Sequence, residues 1–157
     1  MLSQTVEYAL RAMIHLAARE SGVTLTAEAL AERTKVPQGY LSKVMRDLVV
    51  AELVHSQRGP RGGFTLARAP ADITMLEVVN AVDPIRRITR CPLGNPSHVK
   101  LCPLHKRLDD ALAMIEREFA QTTLAEILET STRGSAQCRT LTMPTVRGKA
   151  PAPPATR

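Results

Sequence analysis

The sequence contains no tryptophan, two tyrosines and two phenylalanines. So few rings cannot furnish the row of stacking platforms that single-strand nucleic-acid binders use, whereas binding to a duplex requires none. Cysteine is also scarce, with three residues. An odd and small number argues against a secreted disulfide framework and leaves reduced thiols or metal ligands. No apolar run approaches the roughly 18 to 20 residues of a membrane span, and MLSQTVEYALRAM lacks the basic stretch and small-residue cleavage site of a secretory signal. A cytoplasmic protein without a membrane partner is expected. There is no GxSxG, HExxH, Walker loop or dinucleotide fingerprint, and RGPRGG precedes a strand-like run rather than a phosphate-binding helix. A pair made of Cys102 and His105, three apart at a helix start, has neither an oxyanion site nor an orienting third group. No enzyme is expected.

What is present fits one ordinary domain: 157 residues, 44% apolar and 23% charged. The net charge of +6, from 21 cationic against 15 acidic residues, favours a polyanionic partner without naming one. Four of those six charges sit in residues 135–157, where Arg139, Arg147, Lys149 and Arg157 meet no acid. That stretch also holds four of the eleven prolines and no apolar periodicity. It reads as a disordered basic tail, at most a non-specific electrostatic arm, with Cys138 an inert exposed thiol.

Upstream the apolar residues are periodic. Val6, Ala9, Leu10, Met13, Ile14 and Ala17 recur at three-and-four spacing, which predicts an amphipathic helix over 2–18 ended by Gly22. Thr26 caps a second helix reaching Arg33, with Glu28 favourably placed in its first turn. After a break at Lys35 and Val36, Pro37 serves as first residue of a third helix whose inner stripe is Leu41, Val44, Met45 and Leu48. Two strand-like runs, 53–57 and 64–68, flank RGPRGG and read as a hairpin. Thr74 and Glu77 form a capping box for a helix over 75–82, closed by Asp83-Pro84. Residues 85–101 show little periodicity. Leu104, Leu108, Ala111, Leu112, Ile115 and Phe119 then mark a long helix from Pro103, and Thr123 with Glu126 restarts a short one ending near Glu129. The fold class is mainly α with a small β-hairpin wing: a winged helix-turn-helix followed by a long C-terminal helix.

In a winged helix-turn-helix the second helix of the motif enters the major groove and the hairpin reaches nearby phosphates. The helix from Pro37 is then the reader, and its outward Gln38, Gly39, Tyr40, Ser42, Lys43 and Arg46 include the amide, hydroxyl and cationic types that bond phosphates and base edges. Arg58 and Arg61 stand at the hairpin tip beside Gly59, Gly62 and Gly63, whose bareness would let the backbone approach DNA. The plainer alternative makes Lys43 and Arg46 a solvated helix face and RGPRGG a tight turn. A second candidate is CPLGNPSHVKLCPLH, in which Cys91, His98, Cys102 and His105 are all good ligands for zinc or iron. Against that stands a helix start in which Cys102 and His105 merely pack or cap. His15 and His55, isolated on structured elements, read as ordinary surface or core residues.

VEYALRAMIHLA, VPQGYLSKVMRDLVVAELVHSQRGPRGGFTLAR and ITMLEVVNAVD resemble the Rrf2 family of winged-helix transcriptional regulators over residues 1 to about 130, most specifically in the RGxxGGxxLAR wing at Arg58 to Arg68. The resemblance implies a homodimer on a palindromic operator in double-stranded DNA, with the helix over 103–120 crossing between subunits. It also implies that some members hold a 2Fe-2S cluster on three cysteines spaced with five residues between neighbours, followed in some by a histidine. Cys91 matches the first cysteine, and Cys102 with His105 matches the last and its histidine. The middle cysteine is missing, its region being Pro96, Ser97 and His98, and the span is one residue short. Some relatives complete the ligand set with an acid from the first helix of the partner subunit, and Glu7 stands at a matching place. The candidate ligands are therefore Cys91, Cys102, His105, Glu7 and His98. A 2Fe-2S cluster, zinc or another single ion, and no metal all stay open. The expected organisation is a DNA-binding domain over 1–70, then 71–134 with a wing-support helix, a Cys/His sensor loop at 85–102 and a dimerisation helix, then the tail. The function expected is transcriptional regulation, as a repressor, with redox, iron-sulfur or nitric-oxide status as the signal. A same-fold regulator without a cluster, answering a small molecule or a partner protein, is the alternative.

Overall fold

A computed structural model describes residues 2–19, 22–59, 62–91 and 101–133. Arg61, His98, Cys138 and the basic tail, singled out above, lie outside the described residues.

Helix α1 spans Gln4–Ala17 and begins where the Ser3 hydroxyl accepts the Val6 N–H. It ends at Ala17, with Ala18 as its cap, several residues before Gly22. Its inner face is built largely of small residues, and Val6, Ala9, Ala12, Met13 and Leu16 are buried. Small side chains let several elements approach one helix closely, and α1 is the hub of the fold. Helix α2 (Ala27–Thr34) starts at Thr26, whose hydroxyl accepts the Ala29 N–H. It stops at Lys35, which is left-handed at φ 56°. The orphan carbonyl of Thr34 takes a hydrogen bond from the Arg11 guanidinium on α1, at 3.1 Å. Helix α3 covers Gln38–Val50. Pro37 precedes it as the cap instead of opening it: its backbone is extended, and its carbonyl accepts from the Tyr40 and Leu41 N–H groups. Leu41, Val44, Met45 and Leu48 are fully buried as the spacing required.

Strands β1 (Val54–Gln57) and β2 (Gly63–Leu66) pair antiparallel, with Val54 opposite Leu66 and Gln57 opposite Gly63. Leu25 adds a bridge to Phe64 through two backbone bonds of 3.0 and 2.8 Å, tying the hairpin to the start of the helix-turn-helix. The wing glycines answer first to the protein's own backbone. A Cβ on Gly62 would lie 2.5 Å from the Gln57 carbonyl oxygen, and one on Gly63 2.5 Å from that of Leu25. A Cβ on Gly59 would meet nothing within 4 Å among the described residues, but its φ of +111° is one that side chains rarely tolerate.

After a 3-10 turn at Pro70–Asp72, helix α4 (Met75–Val82) carries the expected capping box between Thr74 and Glu77. Helix α5 spans Pro103–Gln121, and α6 spans Leu124–Arg133, longer than the stop near Glu129 that the pattern suggested. Thr123 and Glu126 cap α6 reciprocally. The starts of α4 and α6 are joined, because the Met75 N–H donates to Thr122 and the Leu124 N–H to Ile73. Ile73, Val78 and Leu124 belong to the same buried cluster as Met13, Leu30 and Leu48. The core thus runs on past residue 70 through α4 and α6. No helix among the described residues is long and apolar enough to cross a membrane.

Candidate functional site

On α3, burial of Leu41, Val44, Met45 and Leu48 turns the other face outward, and Gln38, Gly39, Ser42, Lys43 and Arg46 are exposed there. Lys43 has no hydrogen-bond or ion-pair partner among the contacts found in the described residues, whereas Arg46 reaches Asp47 only at 4.0 Å. Gln38 donates to Glu28 at 3.2 Å, and the Ser42 hydroxyl is turned back to the Gln38 carbonyl at 2.9 Å. Tyr40 is less free: its ring meets Tyr8 edge-on at 5.4 Å and its hydroxyl bonds Thr5 at 2.8 Å. Tyr40 therefore sets where the start of α3 sits against α1. Arg58 is exposed beside the wing tip. Lys35, which the sequence marks only as part of the break between α2 and α3, is also exposed there. Its left-handed backbone is not visible in a residue pattern.

The wing is braced from behind. Arg68, just past β2, bonds the Asp72 carbonyl at 2.9 Å and the Glu77 carboxylate at 2.6 Å. Burial raises the Glu77 pKa, but bonds from the Thr74 N–H and from Arg68 outweigh that and hold it below its ordinary value.

The second site lies where the segment after α4 returns to α5. Cys102 is the cap of α5, His105 is in its first turn, and Cys91 comes from the approaching segment. The His105 Nδ1 stands 3.2 Å from the Cys102 sulfur and 3.7 Å from the Cys91 sulfur. The three donor atoms all lie within 4.8 Å of one another, and all three residues are half-buried. Glu7, exposed on α1, is not in this cluster; its carboxylate is ion-paired to Arg11. A second feature pins the same segment. Arg87 forks onto Asp109 through two bonds of 2.7 Å and reaches Glu116 at 3.1 Å, while the Ile88 N–H donates to Asp109 at 2.9 Å. The Arg87 bond holds the Asp109 carboxyl below its ordinary value, and Asp109 and Glu116 raise Arg87 above its own. Nothing local in the sequence points from these two acids to an arginine 22 and 29 positions back.

The donor set can be compared with the group that the resemblance implies. A 2Fe-2S cluster takes four protein donors, two on each iron. The described residues present three, gathered around one point. Three donors from one chain leave one of the four places to a residue outside the trio.

Helix α5 is exposed along one side, with Leu104, Leu108, Met114 and Ile115 open to solvent. Beside it an apolar groove of about 620 Å³ runs between Leu2 and Val6 of α1, Ile85, and Leu112, Ile115 and Phe119 of α5.

The Rrf2 family model, described as iron-dependent transcriptional regulator, matches residues 2–130. A protein of Rhodobacter capsulatus described as an rrf2-like HTH-type transcriptional regulator is 35% identical over 125 residues, covering 77% of this chain and 80% of that one. An HTH-type transcriptional regulator of Aquifex aeolicus is 30% identical over 137 residues, covering 82% and 91%. Among solved structures, CymR of B. subtilis, the global cysteine regulator, superposes with a TM-score of 0.69 at 22% identity, covering 83% of this chain and 97% of that one. IscR of T. potens gives a TM-score of 0.69 at 24% identity, covering 83% and 88%. These structures share the winged-helix fold, and the named relatives are transcriptional regulators rather than enzymes. On the match over residues 2–130, this chain belongs to the Rrf2 family of transcriptional regulators.

Proposed function

We propose that the chain acts as a homodimer on a palindromic operator in double-stranded DNA, as a repressor, and that the Cys91–His105 segment reports redox, iron-sulfur or nitric-oxide status to it. The observation that carries the DNA reading is the two-sided α3, sealed along Leu41, Val44, Met45 and Leu48 and open along Gln38, Ser42, Lys43 and Arg46. With α3 in a major groove, Gln38 and Ser42 are suited to base edges and Lys43 and Arg46 to phosphates, while Arg58 and Arg61 of the wing are suited to phosphates nearby. The apolar side of α5 supports the homodimer, since isolated domains rarely leave four large apolar side chains open on one helix. Two recognition helices must span about 34 to 36 Å to meet successive half-sites, so a shift of α5 against the segment at Arg87 and Cys91 would change operator affinity.

Two groups could occupy the sensor segment. The 2Fe-2S reading rests on the family resemblance, needs a fourth donor from His98 or from Glu7 of the partner subunit, and would supply one-electron chemistry. The single-ion reading is favoured by the mutual closeness of Cys91, Cys102 and His105.

Fluorescence anisotropy with palindromic and scrambled duplexes at several salt concentrations tests the DNA reading. The expected result is a steep fall of affinity with salt, a preference for the operator, and a slope about one unit shallower in Lys43→Ala. Affinity indifferent to salt and sequence would instead mark a winged helix used for protein contact.

A further inference from the structure

We infer that Glu28 is a positioning residue of the reader helix: by accepting from the Gln38 amide it fixes which way that amide faces, and so makes Gln38 select adenine in the major groove. This selectivity rests on the DNA reading and deepens it, from base-edge contact in general to one base and the residue that imposes it. Gln38 is the first residue of α3 and Glu28 the second of α2. The turn over 34–37, with its left-handed Lys35, brings those two helix starts together, and both residues are exposed. The Gln38 Nε2 donates to a Glu28 carboxylate oxygen at 3.2 Å. An ionised carboxylate only accepts, so the amide can meet it only through its NH2 group. Turned the other way, the amide would set its oxygen, a second acceptor, against the carboxylate.

Held in this way, Gln38 keeps its amide oxygen and one N–H without a partner found among the described residues. Those two groups together bond the N6–H and N7 of adenine. Guanine presents acceptors at both O6 and N7 and is met by a side chain with two donors, as arginine has; here the amide oxygen would oppose O6. Ser42, one turn further along the exposed face, narrows the choice in the same direction. Its hydroxyl hydrogen is committed to the Gln38 carbonyl at 2.9 Å, which leaves the oxygen to accept from the exocyclic N–H of adenine or cytosine. Because the bond between Glu28 and Gln38 lies on the surface, it contributes little to stability. Its effect is on orientation.

The test uses the full chain and a pool of duplexes with a randomised centre, enriched by rounds of binding at one salt concentration. Anisotropy then follows on the enriched operator with each base pair changed in turn, symmetrically in both half-sites. The expected operator carries an adenine in each half-site whose replacement by guanine weakens binding about tenfold or more, and whose replacement by 7-deazaadenine, which lacks the N7 acceptor, also weakens it. Gln38→Ala and Glu28→Ala should each reduce that preference to about threefold or less, with no further loss in the double variant, as two residues acting through one amide require. Removing the Glu28 charge raises affinity for every duplex alike, so it cancels in a ratio of two duplexes. Preferences at the other positions and the circular dichroism should match the parent, whereas a merely structural role for Glu28 would weaken all positions together. An adenine preference that survives in Glu28→Ala, or that does not fall in Gln38→Ala, would overturn the assignment and leave the DNA reading standing. A pool in which no sequence enriches would overturn both.

Discussion

Single residues in this protein often serve the fold in places where the pattern suggested DNA. Gly63 is the clearest, because its φ of +152° and the Leu25 carbonyl oxygen leave no room for a Cβ. Gly63→Ala should therefore cost on the order of 2 kcal/mol in urea unfolding, while Gly59→Ala, strained but unobstructed, should cost less. His15, which the sequence marks only as an ordinary surface or core residue, is half-buried. Its Nε2 is buried, and no hydrogen-bond partner is found for it among the described residues. Burial first, and then the nearby Arg33 and Arg11, hold its pKa below the ordinary 6.5. A basic group depressed in the folded state binds fewer protons there than in the unfolded chain. Stability then declines as the pH falls below the unfolded value and recovers above it. Urea midpoints between about pH 7.5 and pH 5 should show this decline, and His15→Gln should flatten it. An equal slope in both proteins would mean that His15 reaches a proton acceptor when folded.

At the scale of elements, the segment between α4 and α5 depends on charge rather than on burial. Arg87 is the anchor, forked onto Asp109 and extended to Glu116, all on the surface. Exposed pairs of this kind add little to global stability, but this one also recruits the Ile88 backbone and sits four residues before Cys91. Arg87→Ala should leave the unfolding midpoint nearly unchanged while speeding amide exchange across 85–91, as read by mass spectrometry. Because Asp109 is held below its ordinary 3.8, the stabilisation is present above that value and is lost as the pH falls through the lower folded one. Exchange at Ile88 should accordingly stay slow down to pH values under the usual carboxylate range. Equal exchange in parent and variant would show that the segment is held by something other than the clamp.

For the whole molecule, the decisive surface is α5. Leu104, Leu108, Met114 and Ile115 face outward on a helix of 19 residues with none of its residues buried. A helix this apolar on its open side needs a cover, and a second α5 is the cover that the proposed homodimer would supply. Ile115→Asp should convert a dimer to a monomer in sedimentation equilibrium with unchanged helix content, and should weaken operator binding at least 100-fold, since one half-site then binds without its neighbour. A variant that stays dimeric would place the interface elsewhere.

Local structure was largely legible in the sequence because its determinants are local. The capping boxes at Thr74 with Glu77 and at Thr123 with Glu126 act across three residues, and the stripe from Leu41 to Leu48 repeats within two turns. Even there, Pro37 could be placed near the start of α3 but not at its cap, since proline suits both positions sterically. The candidate ligands Cys91, Cys102 and His105 were visible as residue types, and the wing as a motif. That the three candidate ligands converge, that Arg87 seizes α5 from 22 and 29 residues away, and that Leu124 seals a core begun by α1 were decided by tertiary structure. A hydrogen bond within one helical turn is constrained by the backbone's own geometry. A contact between distant segments depends on how every intervening element packs, and no short window of sequence contains that.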